Sequence, residues 1–136
     1  METKGFFYVV SHSFEMVFAR ACGHLKLQDF HNTIAEFGSD PQIRSDYRVV
    51  VDISKSTYTP SIADVRDIVS TIANFHKTFD RSIAVVVANS VSFQLTKLTG
   101  AYASINTNLT VAPFYSLDEA FAWIKSCDDE ALPAST

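Results

Sequence analysis

The chain alternates between short apolar runs and longer stretches in which apolar residues recur every three or four positions. Residues 6–11 and 15–22 are two β-rich runs parted by a polar break at His12 and Ser13, which predicts a hairpin. Gly23 ends the second run, and from Leu27 the apolar positions become Leu27, Phe30, Ile34 and Phe37. That spacing is one face of a helix, stopped by Gly38. After the connecting stretch SDPQIRSDY comes RVVVDI, residues 48–53. A continuous apolar run flanked by turn residues suits a strand covered on both faces. The next helix should bury Ile62, Val65, Val69, Ile72 and Phe75 or His76. Residues 82–88, SIAVVVA, form another covered strand, and Asn89 or Ser90 can cap a helix with the stripe Val91, Leu95, Leu98, Tyr102 and Ile105. Gly100 lies inside that helix at a cost of about 1 kcal/mol relative to alanine, which implies close packing or an early break. Residues 109–115 read as the last strand; Pro113 lacks an N–H and so belongs on an edge or at a bulge. Ser116 and Glu119 stand in capping-box register at the head of the final helix. Its inner face is Leu117, Ala120, Phe121 and Ile124, with Trp123 beside it.

The order is therefore ββαβαβαβα, an α/β fold with a mostly parallel five-stranded sheet, an N-terminal antiparallel hairpin and four helices, covering both faces. Residues 1–128 read as one domain and 129–136 as a flexible tail.

Composition narrows the function classes. Hydrophobic residues make up 47% and charged residues 19%, a globular balance able to bury a core without staples. The 11 Lys and Arg are scattered and outnumbered by 15 Asp and Glu, so the basic stripe of a nucleic-acid binder is missing. Cys22 and Cys127 stand apart with no CxxC spacing and read as reduced thiols. No apolar run is long enough for a membrane span, and the run at residues 6–10 is too short for a signal-peptide core. The expectation is a cytoplasmic protein with no integral membrane segment.

Several segments carry a family resemblance. They are Ala21-Cys22-Gly23-His24-Leu25, the Asp-ended strand VVVDIS, the strand-to-helix turn ANSVSFQLTKLTG, and VAPFYSLDEAFAWI. In this order the chain resembles a STAS domain (sulfate transporter and anti-sigma factor antagonist), and most closely the SpoIIAA-like branch, sometimes grouped with SEC14-type lipid-binding domains. The resemblance implies a non-enzymatic regulatory or protein-interaction module. Its lipid-binding relatives imply the alternative, a carrier of a small apolar, lipid or anionic ligand. Anti-sigma antagonists carry Asp-Ser-Ser-Gly at the start of the helix after the Asp-ended strand, and its serine is phosphorylated. This chain has Tyr58-Thr59-Pro60-Ser61-Ile62 there, so only Ser61 or Thr59 stands near the phosphorylated position.

The candidate site is the passage from Asp52 to Ser61. Ser54, Ser56, Thr57, Tyr58, Thr59 and Ser61 put six hydroxyls within eight residues. Ligands in open α/β sheets favour such a strand-to-helix passage, and a helix N-terminus suits an anion. The plainer account leads: Ser61 and Asp64 form a capping box and the other hydroxyls make local turns. Asp52 could be a general base or could equally accept bonds from the loop's own N–H groups; no partner stands beside it in sequence and no nucleophile–base pair is evident, so no enzyme is expected. Cys22, His24 and His31 are too loosely spaced for a zinc site, and the phosphate-cradling glycine motifs are absent. No metal or cofactor is expected. Among the 11 phenylalanines, Phe6, Phe7, Phe14 and Phe93 fall off the predicted inner faces. If exposed together they would mark a partner surface, with a homodimer the first expectation.

Overall fold

The elements run β1 (Gly5–Ser11), β2 (Met16–Gly23), α1 (Leu27–Ser39), β3 (Arg48–Ser56), α2 (Ile62–Asn74), β4 (Ser82–Val86), α3 (Ser90–Asn106), β5 (Thr110–Phe114) and α4 (Leu117–Ala134). The computed structural model describes residues 5–44, 46–57, 61–74, 82–106 and 109–134. Tyr58, Thr59, Phe75 and His76 lie outside the described residues, as do the side chains of Ile72 and Cys127.

The strands form one sheet in the order β1-β2-β3-β4-β5. β1 pairs antiparallel with β2, and every later pair is parallel. Each parallel step moves the same way across the sheet. Right-handed crossovers then place α1, α2 and α3 on one face. α4 follows the last strand, leads to no further crossover, and folds back on the other face. Two cores result. Val17, Ala19 and Val49 pack with Phe37, Val69 and Ala103 on the three-helix face. Val50, Ala84 and Val86 pack with Ala120 and Ile124 beneath α4. The alternation of Val49 and Val50 between these cores is the period of two that a strand imposes.

The hairpin turn takes four residues, His12 to Glu15, with Glu15 N–H donating to His12 O at 3.3 Å and Glu15 at φ 52°. A left-handed residue closing such a loop lets the strands keep their twist. Phe6 packs edge-on against Phe30 with ring centroids 4.9 Å apart, and Tyr8 against Phe37 at 4.6 Å, which ties the hairpin to α1. Pro113 falls on β5, which is an edge strand.

α3 differs from its expected orientation. Val91 and Leu98 are exposed and Ile105 is 82% exposed, whereas Thr96 and Ala103 are buried. The buried face runs Thr96, Gly100, Ala103, at helical spacing but made of small residues. Gly100 explains the rotation. A Cβ there would overlap the carbonyl oxygen of Val111, so α3 lies with its backbone against β5. The buried stripe of α2 starts at Val65 rather than at Ile62, which is exposed. Phe121, expected on the inner face of α4, lies partly exposed at its margin and stacks on Phe18 at 6.1 Å.

Gly100→Ala should therefore destabilise the protein by about 1–3 kcal/mol, although the same change in an open helix would stabilise by about 1 kcal/mol. Urea denaturation of the two proteins measures the sign.

Candidate functional site

The passage from Asp52 to Ser61 divides among three environments. Ser54 and Ser56, expected in a loop, belong to β3. The strand continues because it carries an irregularity: Arg20 pairs with Asp52, but Cys22 pairs with Lys55, so β3 holds one residue more than β2 between these points. Such a bulge leaves a backbone group without its ladder partner. Asp52 supplies one. Its Oδ1 accepts the Ser54 N–H at 2.9 Å and the Ser54 hydroxyl at 2.5 Å. Asp52 is buried, with its side chain 8% exposed, and the guanidinium of Arg20 stands 3.9 Å away. Arg20 also lies 6.0 Å from the centroid of the Phe18 ring, which packs against the α4-side core. Asp52 thus faces α4.

Thr57 lies at the strand ends, where its N–H donates to Gly23 O at 3.1 Å and its hydroxyl pairs with His24 Nδ1 at 3.0 Å. Ser61 is the N-cap of α2. Its Oγ accepts the Asp64 N–H at 3.1 Å, and Asp64 Oδ2 accepts the Ser61 N–H at 3.2 Å, a reciprocal capping box. The hydroxyls on Ser54, Thr57 and Ser61 do not converge. The other histidine candidate, His31 on α1, pairs through Nδ1 with the Thr71 hydroxyl of α2 at 2.7 Å. The Thr71 hydroxyl also lies 2.9 Å from Asp67 O, and its pairing with His31 ties two helices together.

An apolar concavity lies on the opposite face of β3. Val49, Val51 and Ile53 of β3, Ile83 and Val85 of β4 and Val111 of β5 form its floor. Phe30, Ile34 and Phe37 of α1, Thr96 and Thr99 of α3, and Ile68 of α2 form its walls and roof. The cavity is partly open and holds about 160 Å³. α2 touches α1 and α3 more than it touches the sheet, so it bridges them as a roof. The lining is apolar apart from three threonines, none of which offers a free proton: Thr33 donates to Asp29 O, Thr96 to Ser92 O and Thr99 to Leu95 O, at 2.8–2.9 Å. Among the described residues no charged side chain lines it.

Sequence reasoning named none of this lining as site residues, because they are spread over eight elements. Each looks like ordinary core on its own helix or strand. The phenylalanines of α1 were the one available signal.

If Asp52 serves the bulge, Asp52→Ala should cost about 1–3 kcal/mol by orphaning the Ser54 N–H, while Asp52→Asn, which keeps an acceptor, should cost less. Denaturant titration of both variants checks the order; equal losses would assign the effect to the charge.

No family model matches the chain, and no curated protein matches it. Among solved structures, an uncharacterised DUF3478-family protein from Shewanella loihica PV-4 with a SpoIIAA-like fold aligns at a TM-score of 0.63. The two chains are 16% identical, and the alignment covers 91% of this chain and 97% of the other. The mixed five-stranded sheet, its parallel crossovers and this likeness together give the chain a SpoIIAA-like, STAS-like fold.

Proposed function

We propose that the chain is a non-enzymatic STAS-like module that binds a small apolar ligand between its sheet and its three-helix layer. The observation that carries this is the cavity of about 160 Å³, whose described lining is apolar but for three threonines and carries no charge. An engineered apolar cavity of roughly 150 Å³ stays dry and takes benzene, which sets the size class: a single ring or a short aliphatic chain. As a closed void it would cost at most about 4 kcal/mol, a penalty that an apolar occupant removes. A buried anion has no answering donor in the lining, so a charged group on the ligand must remain outside.

Benzene or a medium-chain fatty acid should raise the melting temperature. At one hundred times Kd the gain is about 2.7 kcal/mol, roughly 5–15 °C for a domain of this size. Val51→Phe, which fills the floor, should remove that gain while unfolding stays cooperative, with Ile83→Phe as the second filling variant. A clean ligand-free mass in native spectrometry together with no thermal response to either probe would overturn the proposal.

A second reading concerns regulation at residues 54–61, and rests on Ser61, which stands exposed at the head of α2 where it exchanges two bonds with Asp64. A phosphate on Ser61 would bring roughly −2 charge beside the Asp64 carboxylate. It would break both bonds and loosen the first turn of the helix that roofs the cavity. Protein carrying phosphoserine at position 61 should then bind the apolar probe more weakly than unmodified protein. Equal affinity would leave Ser61 with a capping role alone.

A further inference from the structure

The two edges of the sheet are guarded unequally. β5 carries Pro113, which withholds a backbone donor from any newcomer. β1 reads GFFYVVS, with no charge and no proline, and among the described residues its only strand partner is β2. Natural sheets blunt such an edge with lysine, proline, a bulge or a covering loop. Among the described residues β1 shows none of these along its paired length of seven residues. Its outward backbone groups are therefore offered for pairing.

A groove runs beside this edge on the three-helix face. Phe6, Tyr8 and Val10 form its apolar side, and Glu36, Asp40 and Gln42, from the end of α1 and the turn after it, form the other, enclosing about 580 Å³. Asp40 is fixed in place: it accepts the Tyr8 hydroxyl at 2.7 Å and the Gln42 N–H at 2.9 Å. The Gln42 N–H, and then the Tyr8 hydroxyl, hold the Asp40 carboxyl below its usual range. Tyr8 is pushed up to about 12, by burial first and then by Asp40 and Glu36. The groove therefore sets the neutral Tyr8 phenol beside the acidic side chains of Glu36 and Asp40, and among the described residues no lysine or arginine lines it.

We propose that β1 is a docking edge for an extended peptide segment that adds a sixth strand, alternating apolar residues with lysine or arginine that face Glu36 and Asp40. Main-chain hydrogen bonds would supply affinity, and the acidic wall the choice of partner. The charge pattern argues against a second copy of this chain as the occupant. A twofold axis normal to the sheet would keep each face on its own side and bring both acidic walls together. β1 itself carries no cation to answer them. Like charges set against each other across such a seam are destabilising.

The test uses the full chain and a blocked seven-residue peptide of alternating valine and lysine, with a valine–glutamate peptide as control. Fluorescence anisotropy should show binding of the lysine peptide alone, and amide hydrogen exchange should show new protection on β1. Glu36→Gln combined with Asp40→Asn should weaken binding roughly tenfold, and added salt should do the same in the parent protein. No binding, equal binding of both peptides, or protection away from β1 would overturn the proposal. So would a dimer in sedimentation that protects β1 without peptide, since it would make a second copy the occupant.

Discussion

The strands are laid down in one direction across the sheet, and the rest of the architecture follows from that constraint. From β2 to β5 no step reverses, and each crossover has the same hand, so α1, α2 and α3 are forced onto a single face. An α/β sheet that reverses direction opens a crevice at the ends of its strands, where ligands commonly bind. This sheet has no such reversal among its parallel strands. Three helices must instead share the width of one face. The outer two claim the sheet, α1 through the hairpin aromatics and α3 through β5. α2 is left to span them, and the space beneath it becomes the cavity.

Tight and loose packing are thus two sides of one arrangement. Gly100 lets the backbone of α3 press against Val111, and the small face of Thr96 and Ala103 continues that approach. Thr96 and Thr99 turn their hydroxyl protons back to their own helix, which leaves their methyl groups to line the apolar space. On the far side of the same strand, Asp52 binds the backbone of the bulge and pairs with Arg20. The two faces of β3 therefore separate a polar structural device from an apolar cavity only one residue away in sequence.

The fold was legible in the sequence where periodicity was strong. The covered strands RVVVDI and SIAVVVA, the capping residues Ser61 and Ser116, and the edge proline Pro113 all point to the observed architecture. α3 was misread because hydrophobic periodicity marks the large residues, whereas its packing depends on the smallest one. Helix packing through glycine inverts the usual signal: the close face carries little side chain, and Val91, Leu98 and Ile105 are left outside. The hydroxyl-rich passage drew attention for its composition. Yet Ser54 lies in the strand, and Ser61 spends its oxygen on a cap. Asp52 does accept a backbone N–H of its own strand, one of its two expected roles, but residue type could not show the bulge that aims it there. The cavity left no local mark, since it is a property of how eight elements meet.

The central claim is that the space between the sheet and α2 is a binding site rather than a packing fault. Methyl-resolved NMR during titration with benzene tests it most directly. Saturable one-to-one shifts at Val51, Ile83, Val85 and Ile68, with Val50 and Val86 on the opposite face unmoved, are the predicted result. Shifts that grow without saturation, or that appear equally on both faces of the sheet, would contradict it.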